Sequence, residues 1–282
     1  MPSSSLFPSQ PASTVYKLDT EYSGSSFFDG FTFFTDADPT NGFVDYLSYS
    51  DAQSAGLIST GSSAIMRVDN TTVYNGELDI IEGANDQDQD QSSAHTGDAS
   101  GTRQCRISNA GGSGELVEDN CNLFTTGPSN TTTNPDGCGV SDTSSANYGA
   151  AFNSNGGGVY AMDWTSSSIK LYFFPRSSIP SDISYGWPTP SNWGTPYAVF
   201  GGDGLCNIDA NFADMRIIFD ITFCGDFGSD TWGNGCAAKT GVDQCYKYVP
   251  VNPSAFAETY WDVSYVKVYQ QVIFPIYLIS IS

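Results

Sequence analysis

The stretch Gly76-Glu77-Leu78-Asp79-Ile80-Ile81-Glu82-Gly83 sets three carboxylates within six residues, interleaved with three branched aliphatics. Successive side chains of a strand point to opposite faces, so Glu77 and Asp79 share one face and Leu78 takes the other. Simple parity puts Glu82 on the wrong face, and a one-residue β-bulge within Ile80-Ile81 restores it. Three carboxylates on one face of an otherwise apolar strand repel one another and raise at least one pKa. That arrangement is costly for a structural strand and useful for acid/base chemistry. The competing reading is a surface strand with solvated charges, and the octapeptide alone leaves both open.

Outward from this stretch, several segments alternate with period 2, as half-buried strands do. Ile169, Leu171 and Phe173 alternate with Lys170 and Tyr172; Met215, Ile217, Phe219, Ile221 and Phe223 alternate with Arg216, Asp220 and Thr222. Val263, Tyr265, Lys267 and Tyr269 face away from Ser264, Val266 and Val268, and residues 64–69 and 158–164 read as further strands. Loops rich in Gly, Ser, Asn and Thr lie between, the longest over residues 97–149. A connection of that length is functional, tied by disulfides, or both, and Cys105, Cys121 and Cys138 within it favour the tied version. With 29 Gly and 14 Pro the chain is turn-rich and poor in helix formers, so it reads as all-β. Neither a repeat nor a linker divides it, and an all-β sandwich accommodates 282 residues as one domain.

The 31 acidic and 10 basic residues give a formal charge of −21, which arises from a shortage of Lys and Arg. Nothing here neutralises phosphates, so nucleic acid is excluded as a partner, and an anionic membrane surface likewise. A neutral partner remains open. Hydrophobic residues at 39% exclude disorder. None of the seven cysteines sits in a CxxC pair and His95 is the single histidine, so a disulfide set in an oxidising compartment is expected, with no metal and no cofactor. The odd count leaves one cysteine without an intramolecular partner. Asn70-Thr71-Thr72 and Asn130-Thr131-Thr132 are glycosylation acceptors in keeping with secretion. Residues 1–14 have neither the basic region nor the apolar core of a signal peptide and read as a disordered lead-in. The apolar run near the C-terminus falls far short of the ~20 residues that a spanning helix needs.

Three decoys fall away. Asp86-Gln87-Asp88-Gln89-Asp90 has the spacing of a calcium loop, but Gln91 stands where its glycine belongs and Gly97 where the closing Glu belongs. Gly156-Gly157-Gly158 precedes a strand and not a helix, unlike a P-loop. One histidine without a G-x-S-x-G elbow leaves a serine triad unsupported. The acids outside the octapeptide read as solvated surface.

Glycoside hydrolysis needs one ionised carboxylate beside one held protonated, about 5–5.5 Å apart in retaining enzymes. The octapeptide resembles the E-x-D-x-x-E signature of glycoside hydrolase family 16, the laminarinase-like β-glucanases. The resemblance continues in Asn85-Asp86, Ala94-His95-Thr96-Gly97, Asn153-Ser154-Asn155-Gly156-Gly157-Gly158, Trp193-Gly194-Thr195-Pro196, Phe223-Cys224-Gly225-Asp226 and Asn252-Pro253-Ser254-Ala255-Phe256. Tyr260-Trp261-Asp262-Val263 and Val266-Lys267-Val268-Tyr269-Gln270 resemble the end of a fungal member, so the resemblance covers residues 15–270. It implies a concanavalin A-like jelly-roll β-sandwich with a sugar cleft on its concave face. It also implies Glu77 as nucleophile, Glu82 as general acid/base, Asp79 as the group assisting both, and His95 beside a bound sugar. Asn85, Trp193 and Phe227 are the further expected substrate contacts; Trp187 and Trp232 are other aromatic platforms, each equally readable as core. Phe227 stands where relatives commonly carry Trp.

The expected activity is retaining hydrolysis of β-1,3 or mixed β-1,3/1,4-glucan by a monomer, outside the cell or in the cell wall. One departure from the family pattern bears on that activity. Relatives carry a segment of roughly two strands, with a G-C-G-T-W-P-A-like motif, ahead of the E-x-D-x-x-E strand. Here Val73-Tyr74-Asn75 runs straight into Gly76-Glu77, so an internal deletion is expected at 75/76, and the missing cysteine accounts for the odd count. Residues 271–282 are expected to lie outside the domain. Two alternatives follow: an inactive or merely glucan-binding relative whose cleft wall is missing, or a cell-wall transglycosylase.

Overall fold

The computed structural model describes residues 13–36, 46–61, 63–66, 77–98, 104–127, 130–134, 136–144, 146–213 and 215–274. Its strands in chain order are β1 (Ser13–Ser23), β2 (Ser59–Thr60), β3 (Ala64–Met66), β4 (Glu77–Asp79), β5 (Gln91–Asp98), β6 (Glu115–Glu118) and β7 (Asn122–Gly127). They continue as β8 (Asn130–Thr133), β9 (Cys138–Ser141), β10 (Gly158–Trp164), β11 (Ser168–Pro175), β12 (Ala198–Gly201), β13 (Trp261–Val263) and β14 (Tyr265–Phe274). The described helices are short, so the chain is all-β as its composition implies.

β5 is the strand around which the site is built. Its first half pairs antiparallel with β4 on one edge and β9 on the other, and β7 joins parallel at Thr96 and Asp98. Ser92, Ala94 and Thr96 on its inner face are small and buried, which lets the opposing layer approach closely. Ala94, Cys138 and Val140 there meet Ile169 and Leu171 of β11 and Ala198 and Phe200 of β12 in the main core. Leu78 and Ile80 pack against that core as well, so these two aliphatics of the octapeptide face inward while Glu77 and Asp79 lie on the opposite side. Each fully buried aliphatic or aromatic side chain in this layer contributes about 1.5–3 kcal/mol.

A second core of Phe27, Phe28, Ala52, Ile58 and Ala64 joins the N-terminal segment to Val263 and Val266 near the C-terminus. Val263 and Val266 reach the same core because the strand breaks at Ser264, with β13 before it paired to β3 and β14 after it paired to β1.

Three disulfides, Cys105–Cys206, Cys121–Cys138 and Cys224–Cys245, close loops of 101, 17 and 21 residues. Chain-entropy arguments assign about 4.7 kcal/mol to a loop near a hundred residues and about 3 kcal/mol to one near fifteen. Cys236 is the free seventh cysteine.

Four expectations change. Residues 97–149 are not one long loop: β6 to β9 lie within them, tied by Cys121–Cys138 and anchored by Cys105–Cys206. The alternating segment from Met215 to Phe223 forms no strand. Its apolar side chains still pack, Phe219 edge-on to Trp261 and Phe223 to Phe256, but alternation sets only which side faces inward and a strand also needs a neighbour for its backbone. The β1–β14 ribbon runs past residues 15 and 270, pairing Ser13 with Phe274 and Tyr16 with Gln271, because backbone pairing continues beyond the family-like sequence. Finally, Asp90 and Asp142 are buried and not solvated surface. The expected deletion point at 75/76 and the glycosylation acceptor at Asn70 lie outside the described residues, as do residues 1–12 and 275–282.

Candidate active site

The β4–β5 register places Glu77 opposite His95 and Asp79 opposite Ser93. After Asp79 the chain leaves the ladder, yet the Gln91 N–H still donates to the Glu82 carbonyl at 3.3 Å. Ile80, Ile81 and Glu82 therefore span the length that Ser92 and Gln91 span on β5. That extra residue is what strand parity demanded, and it turns Glu82 onto the face of Asp79.

Side-chain contacts confirm the turn. The Ser93 hydroxyl lies 3.4 Å from Asp79 Oδ2 and within hydrogen-bond reach of Glu82 Oε2. It has one proton, so it serves one carboxylate at a time and accepts from the other when that one is protonated. His95 Nε2 lies 3.4 Å from that same Asp79 Oδ2. Asp79 is thus the hub between Ser93, Glu82 and His95.

The group's electrostatics follow from crowding. Burial pushes the Glu77 carboxyl above its ordinary value, the Asp79 charge adds to this, and His95 opposes it. Glu82 is also raised by burial and then by Asp79 and Glu77, against the Ser93 hydrogen bond and His95. Burial pulls His95 down, but the Asp79 hydrogen bond and the charges of Asp79, Glu77 and Glu82 outweigh it, and the imidazole is raised. Protons on such a set belong to the set, and it holds one into a range where an isolated carboxylate has lost it.

Glycines set the close approaches. A Cβ at Gly83 would stand 2.6 Å from the Tyr148 hydroxyl, so the residue after Glu82 has no room for a side chain. At Gly137, with φ +60°, a Cβ would meet the Ala94 carbonyl at 2.5 Å and His95 Nδ1 at 2.6 Å. Glycine there lets the start of β9 back the imidazole.

The other expected contacts are spread further. Asn85, with φ 56°, donates its side-chain amide to the Gly228 carbonyl at 2.9 Å and to Thr231 Oγ1 at 2.8 Å. It thereby ties the turn after Glu82 to the short helix Gly225–Asp230, where Phe227 is 46% exposed. Lys239 pairs with Asp86 on the same turn. Trp193 sits edge-on to Tyr172 at 5.3 Å and to Phe174 at 5.8 Å, with its indole N–H donated to Asp182. Trp187 is exposed, and Trp232 is buried in the small core around Cys224–Cys245, which removes it as a platform. Sequence reasoning missed Ser93, Asp90, Tyr148 and Tyr197. Only Ser93 had a signal, its place two residues before His95 on the alternation of β5. Among the described residues, no set of three or more His, Cys, Asp or Glu side chains is arranged to hold a metal ion.

Known proteins give the geometry its context. The profile of the XgeA-like, catalytic GH16 domain matches residues 31–75 and 64–269. An endo-1,3(4)-beta-glucanase of Arthroderma benhamiae is 34% identical over 310 aligned positions, covering 92% of this chain and 66% of that protein. The alignment is longer than the chain's 282 residues, so that relative has stretches for which this chain has no counterpart. The chain spans just under two-thirds of that relative's length.

Among solved structures, an elongating GH family 16 beta-1,3-glucosyltransferase superposes with a TM-score of 0.77 at 32% identity, over 90% of this chain and 100% of that one. Laminarinase 16A from Phanerochaete chrysosporium, with beta-glucans in donor and acceptor sites, superposes with a TM-score of 0.76 at 32% identity, over 92% of this chain and 100% of that one. The fold is accordingly the jelly-roll β-sandwich of these enzymes. Strand parity, the extra residue before Glu82 and these matches agree: the chain belongs to glycoside hydrolase family 16.

Proposed function

We propose that this chain is a retaining endo-β-glucanase acting on β-1,3 or mixed β-1,3/1,4-glucan. The observation that carries the reading is the convergence of Glu77, Asp79 and Glu82, with His95, on one face of the β4–β5 pair. A neutral glucan also suits a chain of charge −21, which would repel a polyanion.

In this reading Glu77, ionised, attacks the anomeric carbon while Glu82 donates its proton to the departing glycosidic oxygen. The glycosidic bond breaks and a glycosyl–Glu77 ester forms. Glu82, now ionised, takes a proton from water as the water oxygen displaces Glu77, and the free carboxylates return to their starting charge. Asp79 supports both steps: its charge favours the protonated form of Glu82, and its contact with His95 holds the imidazole beside the cleft. Asn85 and Phe227 form the wall beyond Glu82, with Trp193 as a further sugar contact.

The similarity to a solved glucosyltransferase favours one second reading, transfer of the glycosyl group to a sugar hydroxyl in place of water. Product analysis of laminari-oligosaccharide digests separates the two, since products longer than the substrate require transfer.

The excess length of the aligned relative supports an internal deletion at 75/76. Among the described residues β4 has β5 as its strand neighbour and lies at the sheet edge, where a lost segment would have paired. We place the enzyme outside the cell or in the cell wall as a monomer, because three disulfides persist best in an oxidising compartment. The test of the whole reading is Glu77→Gln, expected to lower sugar release from laminarin by about 10⁴-fold or more with no loss of thermal stability. Sugar release at the wild-type rate would refute it. Binding to insoluble glucan with no sugar release by the wild-type chain would select a binding protein.

A further inference from the structure

Behind Glu82, on the core side of the bulge, lies a second carboxyl that the chemistry above does not use. Asp90 is fully buried. Its Oδ1 accepts the Glu82 backbone N–H at 3.0 Å, and its Oδ2 is 3.4 Å from both the Ser92 and Tyr197 hydroxyls. Those two hydroxyls are 2.7 Å apart and reach the Ile80 carbonyl at 2.9 and 3.3 Å. One carboxyl and two hydroxyls therefore grip the bulge at both ends, at Ile80 and at Glu82. Asp90 is itself held from behind, its N–H facing Asn147 Oδ1 at 3.5 Å and its carbonyl accepting from the Asp142 N–H at 3.1 Å.

We propose that Asp90 is a positioning residue for Glu82: with Ser92 and Tyr197 it holds the extra residue of the bulge and so aims the Glu82 carboxyl into the cleft. The proposal rests on the reading of Glu82 as the general acid/base. The grip works in either charge state. Ionised Asp90 accepts from the Glu82 N–H and from one of the two hydroxyls, which leaves the other to donate to Ile80. Protonated Asp90 still accepts from Glu82 at Oδ1 and donates its own O–H to one hydroxyl, and a hydroxyl proton remains for Ile80. The ionisable groups facing it are Asp142, Tyr148, Tyr160 and Tyr197, whereas Glu82 meets it through its backbone N–H. Burial pushes the Asp90 carboxyl up to about 7 despite its hydrogen bonds to Glu82 and Tyr197, with Asp142 adding to the rise. At pH 5 Asp90 is therefore neutral, and Asn is its close mimic: the amide oxygen accepts from Glu82 and the amide N–H replaces the acid proton.

The experiment compares Asp90→Ala, Asp90→Asn, Tyr197→Phe and Glu82→Ala in the full chain at pH 5. The substrates are laminarin and a dinitrophenyl β-laminaribioside, whose leaving group needs no proton. Glu82→Ala first checks the underlying reading: it should lose kcat/KM on laminarin far more than on the dinitrophenyl substrate, and azide should restore turnover. Absence of both signatures defeats the role of Glu82 itself, separately from the proposal. Given those signatures, Asp90→Ala is expected to lose about 100-fold in kcat on laminarin with KM within about two-fold, as a displaced catalytic group does. On the dinitrophenyl substrate its kcat/KM should fall only about three-fold, and Asp90→Asn should recover to within about three-fold of wild type on both. Tyr197→Phe should show the same substrate bias with a smaller loss, and it decides the matter with Asp90→Asn if the alanine variant does not fold. Equal losses on the two substrates, or an unaffected Tyr197→Phe beside an Asp90→Asn that does not recover, overturn the proposal.

Discussion

The two faces of the β4–β5 pair obey opposite rules. The inner face is Leu78, Ser92 and Ala94, joined to a core of Ile169, Leu171 and Phe200 in which apolar contact supplies most of the energy and the buried polar groups are hydrogen-bonded. The outer face is Glu77, Asp79, Ser93 and His95, where like charges crowd and every raised carboxyl is a cost to the folded state. The same few residues alternate between the two, so the core carries the stability that the outer face gives up for acid/base chemistry. Function and stability are separated by a period of two residues.

The largest expected effect that sharpens this contrast is Glu77→Gln, which should remove activity by about 10⁴-fold or more and raise the melting temperature slightly or leave it unlowered, because one crowded charge is gone. Its mirror is Leu171→Ala, fully buried across the core. The cavity should cost about 2–5 kcal/mol, or a thermal midpoint lower by roughly 5–15 °C, while kcat of the folded fraction holds at low temperature. Calorimetry and initial rates on both variants read the two effects; activity lost by Leu171→Ala at temperatures where it remains folded would break the separation.

A smaller effect is the pH dependence of stability. Glu77, Glu82, Asp90, Asp142 and His95 all have folded-state pKa values above their ordinary ones. The folded state thus binds protons more tightly than the unfolded chain. For the carboxyls the advantage is complete below the unfolded values of 3.8–4.5 and is lost as pH rises through the raised values, about 7 for Asp90. For His95 it is complete below 6.5 and lost above. The thermal midpoint should fall between about pH 4 and pH 8, and Asp90→Asn should flatten part of that slope. A midpoint that rises across this range would contradict the crowding. The smallest effect is Gly137→Ala, which sits where the faces meet. A side chain at φ +60° costs on the order of 1–2 kcal/mol, and here its clash with the Ala94 carbonyl adds to that cost while it also presses on His95. Activity should fall more than this stability loss predicts, measured as kcat at fixed folded fraction.

How much was legible varied with the range of the interactions. The octapeptide disclosed its two faces through local alternation, and parity showed that a one-residue bulge within Ile80-Ile81 was the way for Glu82 to join Glu77 and Asp79. The segment from Met215 to Phe223 carried the same alternation and formed no strand, because pairing depends on a neighbour that the segment itself does not encode. Trp232 and Phe227 lie five residues apart, Phe227 in the short helix Gly225–Asp230 and Trp232 just after it, yet Trp232 is buried beside a disulfide and Phe227 exposed. Asp90 was the hardest to read. It stands in a run of Asp and Gln that reads as solvated, and its partner Tyr197 is 107 residues away.

By itself, then, the amino-acid order settled the all-β class, the exclusion of polyanionic partners and one unpaired cysteine, and it marked the acidic face of the octapeptide strand. These depend on side-chain period, charge and count, which are properties of neighbours in the chain. Tertiary structure alone decided which cysteine stays free, which tryptophan is core, and that a buried carboxyl grips the residue beside the cleft. Those depend on contacts between distant segments, where burial and the company of other polar groups reset what a side chain does.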